Sequence, residues 1–233
     1  MGNQCLYCVS PVKETITWKG LFHSEPQYLC DECQKGLQPI EGQRCSHCSR
    51  SLEKLPDGLK KDEMCFDCFR WEEDPNWHGN LQQNTSLFEY NDFLKDYLAR
   101  YKYRGDHSLA KAFGTQLANY LKSLQFDHIT PIPLSEERHY ERGFNQSAAL
   151  LEEAGIPSSH LLTRSHSEKQ SKKSRQERLQ QKQIFTLTEV NLTGQSILLF
   201  DDIYTTGTTL RQAAKLLKEA GAERVTSLTL ARG

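Results

Sequence analysis

Several features that would place this chain in a common class of protein are missing from its sequence. No apolar run exceeds about four residues, whereas a membrane-spanning helix needs roughly 20. The N-terminal part lacks a basic segment followed by an apolar core, so no secretory signal is predicted. Lys and Arg number 29 against 30 Asp and Glu, and this net charge of −1 excludes nucleic-acid binding through overall charge alone. We therefore expect a soluble, intracellular protein, in which a local basic patch is still allowed.

Cysteine is missing after Cys68, because all 8 cysteines lie between positions 5 and 68. They form four C-x-x-C pairs, a spacing that lets both sulfurs of a pair face one metal ion. Disulfides need an oxidising compartment, and a redox-active pair does not explain four such pairs in succession. The spacing therefore predicts two structural Zn²⁺ sites of four cysteines each. The sequential pairing groups Cys5, Cys8, Cys30 and Cys33, and then Cys45, Cys48, Cys65 and Cys68; a cross-braced pairing would use the same residues.

These cysteines predict a small N-terminal double zinc-ribbon-like module over residues 1–78. It is acidic, with 9 Lys and Arg against 13 Asp and Glu, so docking or stabilisation is favoured over phosphate binding. Metal binding must supply much of its folding energy, because so short a segment buries little core. A second domain is predicted over residues 79–233.

The second domain alternates helical and extended patterns. Helices are predicted from Asp92 to Gly105, over Leu109–Leu124, over Gln146–Ala154 and over Thr208–Ala220. Strands are predicted over Ile129–Pro133, leading into a constrained loop, and over Ile184–Leu187, Ser196–Phe200 and Val225–Leu230. This alternation indicates an α/β fold, an open parallel sheet with helices on both faces.

The clearest chemical signal follows the strand that ends at Phe200. Two carboxylates, Asp201 and Asp202, come next, and a short loop of threonines and glycine then opens a helix. Ligands of open α/β sheets bind at this edge, where free N–H groups of a helix N-terminus favour phosphate. A simple N-capped helix is the alternative, but a cap accounts for one aspartate and not for both. The loop residues are Thr205, Thr206, Gly207, Thr208 and Thr209.

This segment resembles the phosphoribosyl-pyrophosphate (PRPP) binding motif of type I phosphoribosyltransferases. The resemblance implies a type I phosphoribosyltransferase-like fold for the second domain. It implies that Asp201 and Asp202 contact the ribose hydroxyls and that Thr205 to Thr209 hold the 5′-phosphate. It also implies that Mg²⁺ bridges the ribose and the pyrophosphate.

A second segment resembles the signature of the ComF family of competence proteins. It consists of Pro131–Ser135, then Arg138, then Glu141-Arg142-Gly143-Phe144-Asn145-Gln146. Trp71, the Tyr103–Asp106 segment and a Lys-rich loop at 169–173 fit the same family. The resemblance implies a role in natural transformation, handling imported single-stranded DNA in the cytoplasm with a partner helicase-like ATPase. Relatives of this fold are also linked to the use of DNA or gluconate.

Two arginines of this signature are candidate pyrophosphate contacts. Arg138 and Arg142 follow the end of a strand, and the guanidinium group suits bidentate phosphate binding. The alternative for Arg142 to Asn145 is a turn and a helix N-cap around a core Phe144, and this role is compatible with phosphate binding.

A basic segment lies at residues 164–182, with seven Lys or Arg and two Glu. A solvated loop or an exposed helix is one interpretation. A mobile cationic loop that closes over phosphate groups is another, and the two are compatible. The candidate phosphate contacts within it are Lys172, Lys173 and Arg175.

Three functions are compatible with these patterns. The first is a ComF-like DNA-uptake protein with a PRPP or related phosphate site, and the others are a salvage phosphoribosyltransferase and a non-enzymatic adaptor. No segment suggests a base-binding hood, and the phosphate loop looks intact, so the first is favoured. The predicted location is the cytoplasm, with access to the inner face of the membrane through partners. Neither an acceptor substrate nor a general base can be identified from the sequence.

Overall fold

The structure is a computed structural model that describes residues 4–12, 26–103, 105–164, 184–188 and 191–233. The helices are α1 (Asp31–Gly36), α2 (Phe66–Glu73), α3 (Asp92–Tyr103), α4 (Lys111–Leu121), α5 (Glu136–Arg142), α6 (Gln146–Glu153) and α7 (Thr208–Glu219). The strands are β1 (Lys60–Lys61), β2 (Met64–Cys65), β3 (Asn84–Glu89), β4 (His128–Pro131), β5 (Leu162–Arg164), β6 (Phe185–Leu187), β7 (Ser196–Tyr204) and β8 (Arg224–Arg232). Within the described ranges, no helix is long and apolar enough to cross a membrane.

Four strands form a parallel sheet in the order β3-β8-β7-β4. The central strands β7 and β8 are joined in register, with Phe200 opposite Leu228. Residues Ile197 to Phe200 are all buried, as expected for a parallel strand that is covered on both faces. The predicted open parallel α/β sheet is therefore confirmed.

Two apolar cores cover the two faces of this sheet. On one face, α3, α4 and α6 pack against Leu198 and Phe200 of β7. On the other face, α7 and the β5–β6 hairpin pack against Ile197 and Leu199. Neighbouring strand residues point to opposite faces, and burial of each such side chain contributes about 2 kcal/mol. The sheet therefore carries helices on both faces.

The cysteine-rich part packs directly onto this sheet. Cys5 and Cys33 belong to the first core, and Cys48 and Cys68 belong to the second. The loop after Cys45 also covers the edge strand β3. The N–H of Asn84 donates to the His47 carbonyl at 2.8 Å, and the N–H of Ser86 donates to Ser49 Oγ at 3.1 Å. These bonds satisfy backbone groups that an open sheet edge would expose.

Several element boundaries differ from the sequence prediction. Strand β3 was not predicted, and the helix predicted over Leu109–Leu124 begins as a 3-10 turn at His107–Ala110 and ends at Leu121. Arg164, which was assigned to the basic loop, pairs with Phe185 in the β5–β6 hairpin.

The loop predicted around Pro133 is short, covering residues 132–135, and helix α5, which was not predicted, begins directly after it at Glu136. Ser135 Oγ accepts the Arg138 N–H at 3.4 Å, and Gly143 ends the helix with a φ of 77°. The predicted cap of the next helix is correct, since Asn145 Oδ1 accepts the Ala148 N–H at 3.1 Å. Both candidate arginines therefore lie on a short exposed helix, with no buried residue of its own.

Candidate functional site

The eight cysteine sulfurs form two compact groups in the sequential pairing. Within each group, the ligand atoms all lie within 4.8 Å of one another. The Sγ atoms of Cys8 and Cys30 are 3.5 Å apart, and those of Cys48 and Cys65 are 3.6 Å apart. Tetrahedral Zn–S bonds of about 2.3 Å require sulfurs roughly 3.8 Å apart, so both groups fit a zinc ion.

The thiol pKa values within each group move in opposite directions. Hydrogen bonds from the side chain and backbone of Ser10 lower the pKa of Cys8 to about 6, whereas burial raises the pKa of Cys33. In the second group, hydrogen bonding with Cys48 lowers the pKa of Cys45 to about 6. Four clustered thiols cannot all ionise without a compensating dication, so this chemistry also indicates structural zinc.

The second cysteine group is bonded to the sheet through one arginine. Arg232 is buried, and its Nε donates to Cys48 Sγ at 3.3 Å. Its Nη1 donates to the Tyr204 carbonyl at 3.2 Å, and its guanidinium lies 4.9 Å from the centre of the Tyr204 ring. Hydrogen bonds of this kind orient metal ligands from the second coordination shell. One side chain therefore connects the second cysteine group to the end of β7.

The acidic pair lies inside β7, and this corrects the expectation that both aspartates follow the strand. The strand continues to Tyr204, and Asp201 pairs with Thr229 of β8. Asp201 Oδ1 accepts the Ser147 hydroxyl at 3.1 Å. Asp202 is buried and forms an ion pair with Lys102 of α3. The carboxylates are therefore fixed by the sheet and by two neighbouring helices.

The carboxyl group of Asp201 has an unusual acidity. Burial and then the neighbouring charge of Asp202 raise its pKa to about 7. The Ser147 hydroxyl and the Lys102 ammonium oppose this rise. A carboxyl group of this kind exchanges its proton near neutral pH, which makes its hydrogen bonding to a polyol sensitive to pH.

The predicted phosphate loop, residues 205–209, leads from the end of β7 into the N-terminus of α7. Thr205 and Thr206 are exposed, and Gly207 adopts the left-handed conformation with a φ of 79° at the N-terminus of α7. The hydroxyls of Thr206 and Thr208 lie 3.0 Å apart. The first N–H groups of a helix lack intrahelical partners, so the start of α7, which includes Thr209, offers donors to a phosphate.

Gly207 is also required by its contact with Tyr204. A Cβ atom at position 207 would lie 3.0 Å from Tyr204 Cε1 and would overlap Cζ and the hydroxyl. The Tyr204 side chain is buried, and its hydroxyl has no hydrogen-bond partner within the described part of the chain. Two independent reasons, a positive φ and a close approach, therefore select glycine here.

The candidate pyrophosphate arginines differ in their surroundings. Arg138 is exposed, whereas Arg142 is partly buried and donates from Nη1 to Gln146 Oε1 at 2.8 Å. The Arg142 Nε is buried without a hydrogen-bond partner among the described residues. Burial and the charge of Arg138 lower the pKa of Arg164, while the charge of Asp201 raises it. Arg164 is therefore near enough to both Arg138 and Asp201 for their charges to act on it.

The candidate contacts Lys172, Lys173 and Arg175 lie outside the described residues. So does the rest of the basic segment, apart from Arg164 in β5, and so does Arg104 of the family signature.

A cavity of about 350 Å³ lies between α2 and the phosphate loop. Asp67 forms ion pairs with Arg50 at 2.8 Å and with Arg70 at 3.0 Å, so one carboxylate faces two guanidinium groups. The two guanidinium groups lie in the wall of the cavity next to Thr205 and Thr206 of the loop. The cavity is lined by Arg50, Asp67, Arg70, Trp71, Thr205 and Thr206.

Sequence reasoning missed several side chains of this site. Lys102 and Ser147 reach the acidic pair from α3 and α6, and Arg211 of α7 contacts Glu72 of α2. Each contact joins positions distant in the chain, so no local spacing indicates it. The one signal available in the sequence was Lys102, which lies at the end of the apolar stripe of α3. An ammonium group at the end of a buried stripe needs a polar partner.

Comparison with known proteins agrees with this geometry. The phosphoribosyl transferase domain family matches residues 141–233, which include the acidic pair and the loop. This chain is 28% identical over 228 residues to the DNA utilization protein YhgH of Escherichia coli K12, covering 88% of this chain and 96% of that protein. The sheet and helices are therefore those of a type I phosphoribosyltransferase fold.

Two further relatives match nearly the whole chain. Competence protein ComFC of Streptococcus pneumoniae is 33% identical over 231 residues, which cover 98% of this chain and 100% of that protein. Competence protein ComFC of Bacillus subtilis is 40% identical over 233 residues, which cover 98% of this chain and 94% of that protein. Since such identity extends over both the cysteine-rich part and the sheet, the chain belongs to the ComF family of competence proteins.

Proposed function

We propose that this protein acts in natural competence and handles imported single-stranded DNA through a site that binds PRPP or a related phosphate ligand. One observation carries the proposal. The acidic pair of β7 and the left-handed turn at Gly207 lie at the carboxyl end of a central parallel strand, in a ComF-family chain. This is the edge of the sheet at which α/β proteins bind ligands. Residues 1–78 are the zinc-binding module in this proposal, and residues 79–233 are the phosphoribosyltransferase-like domain.

Each part of the site has a role in this proposal. Asp201 and Asp202 accept hydrogen bonds from the ribose hydroxyls. The loop from Thr205 to Thr209 donates to the 5′-phosphate. The Asp201 carboxyl has a pKa near 7, and Asp202 forms an ion pair with Lys102. When a polar ligand binds, Asp201 can therefore change its protonation state and Asp202 can exchange its partner. Bound Mg²⁺ would neutralise pyrophosphate charge.

The pyrophosphate contacts are assigned to arginines. The buried Nε of Arg142 lacks a hydrogen-bond partner in the described structure, so it has a donor to spare for an anion. Arg138 lies one helical turn earlier on α5 and is exposed to solvent. A guanidinium group binds phosphate oxygens in a bidentate manner, which supports both assignments.

Single-stranded DNA is the proposed macromolecular partner. The basic segment at 164–182 supplies the local positive charge that a chain of net charge −1 otherwise lacks. Lys172, Lys173 and Arg175 are proposed to contact phosphates there. A helicase-like competence ATPase is the proposed protein partner, bound through the zinc module or another surface, and this partner would bring the protein from the cytoplasm to the inner face of the membrane.

Calorimetry with PRPP and Mg²⁺ tests the phosphate site. We expect the double variant Asp201→Asn with Asp202→Asn to lose binding, because asparagine keeps the shape but removes charge-assisted hydrogen bonds worth roughly 1.5–3 kcal/mol each. Asp96→Asn, an exposed carboxylate on α3, is the matched control and should bind like wild type. Unchanged binding by the double variant would make the acidic pair structural. A wild-type protein that binds no PRPP would favour the adaptor function instead.

Titration of DNA binding against salt tests the second part. We expect neutralisation of Lys169, Lys172, Lys173 and Arg175 to weaken binding at all sequences and to flatten the salt dependence. The control neutralises four exposed lysines elsewhere and should change the slope less. If both variants behave alike, the basic segment is not the DNA contact. The control lysines are Lys35, Lys95, Lys111 and Lys122.

A further inference from the structure

We propose that Trp71 and Glu72 of helix α2, the helix that contains Cys68 of the second cysteine group, are positioning residues for the phosphate loop. The identity of the ligand rests on the proposed function. The contacts that carry the inference do not depend on that function, because they join α2 to the loop and to α7 in the structure itself.

Trp71 determines the direction of one peptide group of the loop. Its Nε1 donates a hydrogen bond to the Thr206 carbonyl at 3.1 Å. That carbonyl shares a planar trans peptide with the N–H of Gly207, and the two groups point in opposite directions. When the carbonyl is held towards α2, the Gly207 N–H must point away from α2. A hydrogen bond from α2 thus sets the direction of the Gly207 N–H, one donor of the proposed phosphate site.

Glu72 holds the helix that follows the loop. Its Oε1 lies 2.9 Å from Arg211 Nη1, and the Arg211 side chain is only 1% exposed. The same guanidinium lies 5.3 Å from the centre of the Trp71 ring. The Arg211 N–H donates to the Gly207 carbonyl, so this residue belongs to the first turn of α7. Glu72 also accepts the Gly79 N–H at 3.0 Å, which fixes its own position.

A single short helix connects the second cysteine group to the two positioning residues. Cys65 precedes α2, and Cys68 lies within it, one turn before Trp71 and Glu72. Residues three and four apart share a face of a helix, so the cysteine and the two positioning residues lie on the same side. A zinc ion that holds Cys68 would fix the start of α2, and Trp71 and Glu72 then fix the loop.

The experiment compares Trp71→Phe with Trp77→Phe in the zinc-loaded protein. Trp71→Phe keeps an aromatic ring beside Arg211 but removes the donor to Thr206. Trp77→Phe removes an indole from the same aromatic pair, whose ring centres are 5.2 Å apart, and leaves that hydrogen bond in place. The two measurements are calorimetry with ribose 5-phosphate and amide hydrogen exchange of residues 205–209, with zinc content determined for every variant.

We expect Trp71→Phe to weaken ribose 5-phosphate binding about fivefold, which corresponds to the loss of one neutral hydrogen bond. Exchange at residues 205–209 should accelerate by a similar factor, while Trp77→Phe matches wild type and both variants keep their zinc. Unchanged affinity and unchanged exchange in Trp71→Phe would overturn the inference, and so would faster exchange with unchanged affinity.

Two further results separate this inference from the proposed function. If wild type binds no ribose 5-phosphate but Trp71→Phe still accelerates exchange only in the loop, the positioning role stands and the proposed ligand is wrong. Glu72→Gln gives a second test, with exposed Glu73→Gln as its control. We expect only Glu72→Gln to accelerate exchange at the start of α7, because only this change leaves Arg211 without its ionic partner. Equal exchange in both variants would contradict the role of Glu72.

Discussion

Substitution of Gly207 by alanine should destabilise the protein through two separable effects. The left-handed backbone, with a φ of 79°, costs a residue with a Cβ roughly 1–2 kcal/mol. The new Cβ would also overlap the Tyr204 ring, which cannot move freely because it is buried beneath the guanidinium of Arg232. Overpacking of this kind typically costs about 1–3 kcal/mol. The expected total loss is therefore about 2–5 kcal/mol.

Gly143→Ala is a matched control for the first effect. Gly143 has nearly the same φ, 77°, but a Cβ there would meet no atom within 4 Å. Urea unfolding of both variants, with equal zinc content, measures the two costs under one set of conditions. We expect Gly143→Ala to lose only the roughly 1–2 kcal/mol of backbone strain. Equal losses in the two variants would refute the reasoning, because they would show that Tyr204 does not restrict the loop.

Other groups of the site give further expectations. Tyr204→Phe should leave the free energy of unfolding unchanged or raise it by about 1 kcal/mol in the same assay, because the buried hydroxyl has no partner among described residues; a clear loss would contradict this. The raised pKa of Asp201 means that its contribution to stability is fully present below about pH 4 and is lost as the pH rises through 7. Between pH 4 and 8, the free energy of unfolding of wild type should therefore fall by about 2 kcal/mol relative to that of Asp201→Asn. This is half of the energy that corresponds to the full pKa shift, because the side chain is only half-buried. Parallel pH curves for the two proteins would contradict this expectation. Elemental analysis should find two zinc ions per chain in wild type and one zinc ion per chain in Cys30→Ser. A wild-type protein without zinc would contradict the assignment of both metal sites.

Parts of the fold were predictable because their signals are local. The C-x-x-C spacing indicates metal knuckles whatever surrounds them, and the apolar run from Ile197 to Phe200 indicates a strand buried on both faces. Helix α5 was missed because its sequence has no apolar stripe and none of its residues is buried. Its helical state depends on the Ser135 cap and on Gly143, which are weak signals in isolation.

Strand β3 was missed for a different reason. Its buried face carries Asn84 and Ser86 in place of apolar residues, so the alternation that marks a strand is hidden. These polar side chains form hydrogen bonds with one another and with strand β8. Asn84 Nδ2 donates to Ser86 Oγ at 2.9 Å, and Ser227 Oγ donates to Asn84 Oδ1 at 2.8 Å. A buried polar network becomes visible only when both of its strands are placed.

The same limit applies to the site. The acidic pair and the Gly207 loop are contiguous in the sequence, so their proximity was predictable, although the continuation of β7 through both aspartates to Tyr204 was not. The ion pair of Lys102 with Asp202 and the hydrogen bond of Trp71 to Thr206 join residues about 100 or more positions apart. Such contacts depend on how helices dock on the sheet, which no local pattern determines.

The order of strands in the sheet affects how the chain can fold during its synthesis. Strand β3 has its parallel partner in β8, about 135 residues later, so it leaves the ribosome long before that partner exists. At about 5–20 residues per second, the delay is on the order of 10 s. One edge of β7 also remains open until β8 arrives between β7 and β3, whereas the other edge can already pair with the earlier strand β4. During this interval, the hydrogen bonds of Ser49 and His47 to β3 can cover the unpaired backbone groups of this strand. The cysteine-rich segment, which is synthesised first, would thereby keep the edge of β3 from pairing with another chain while the protein folds.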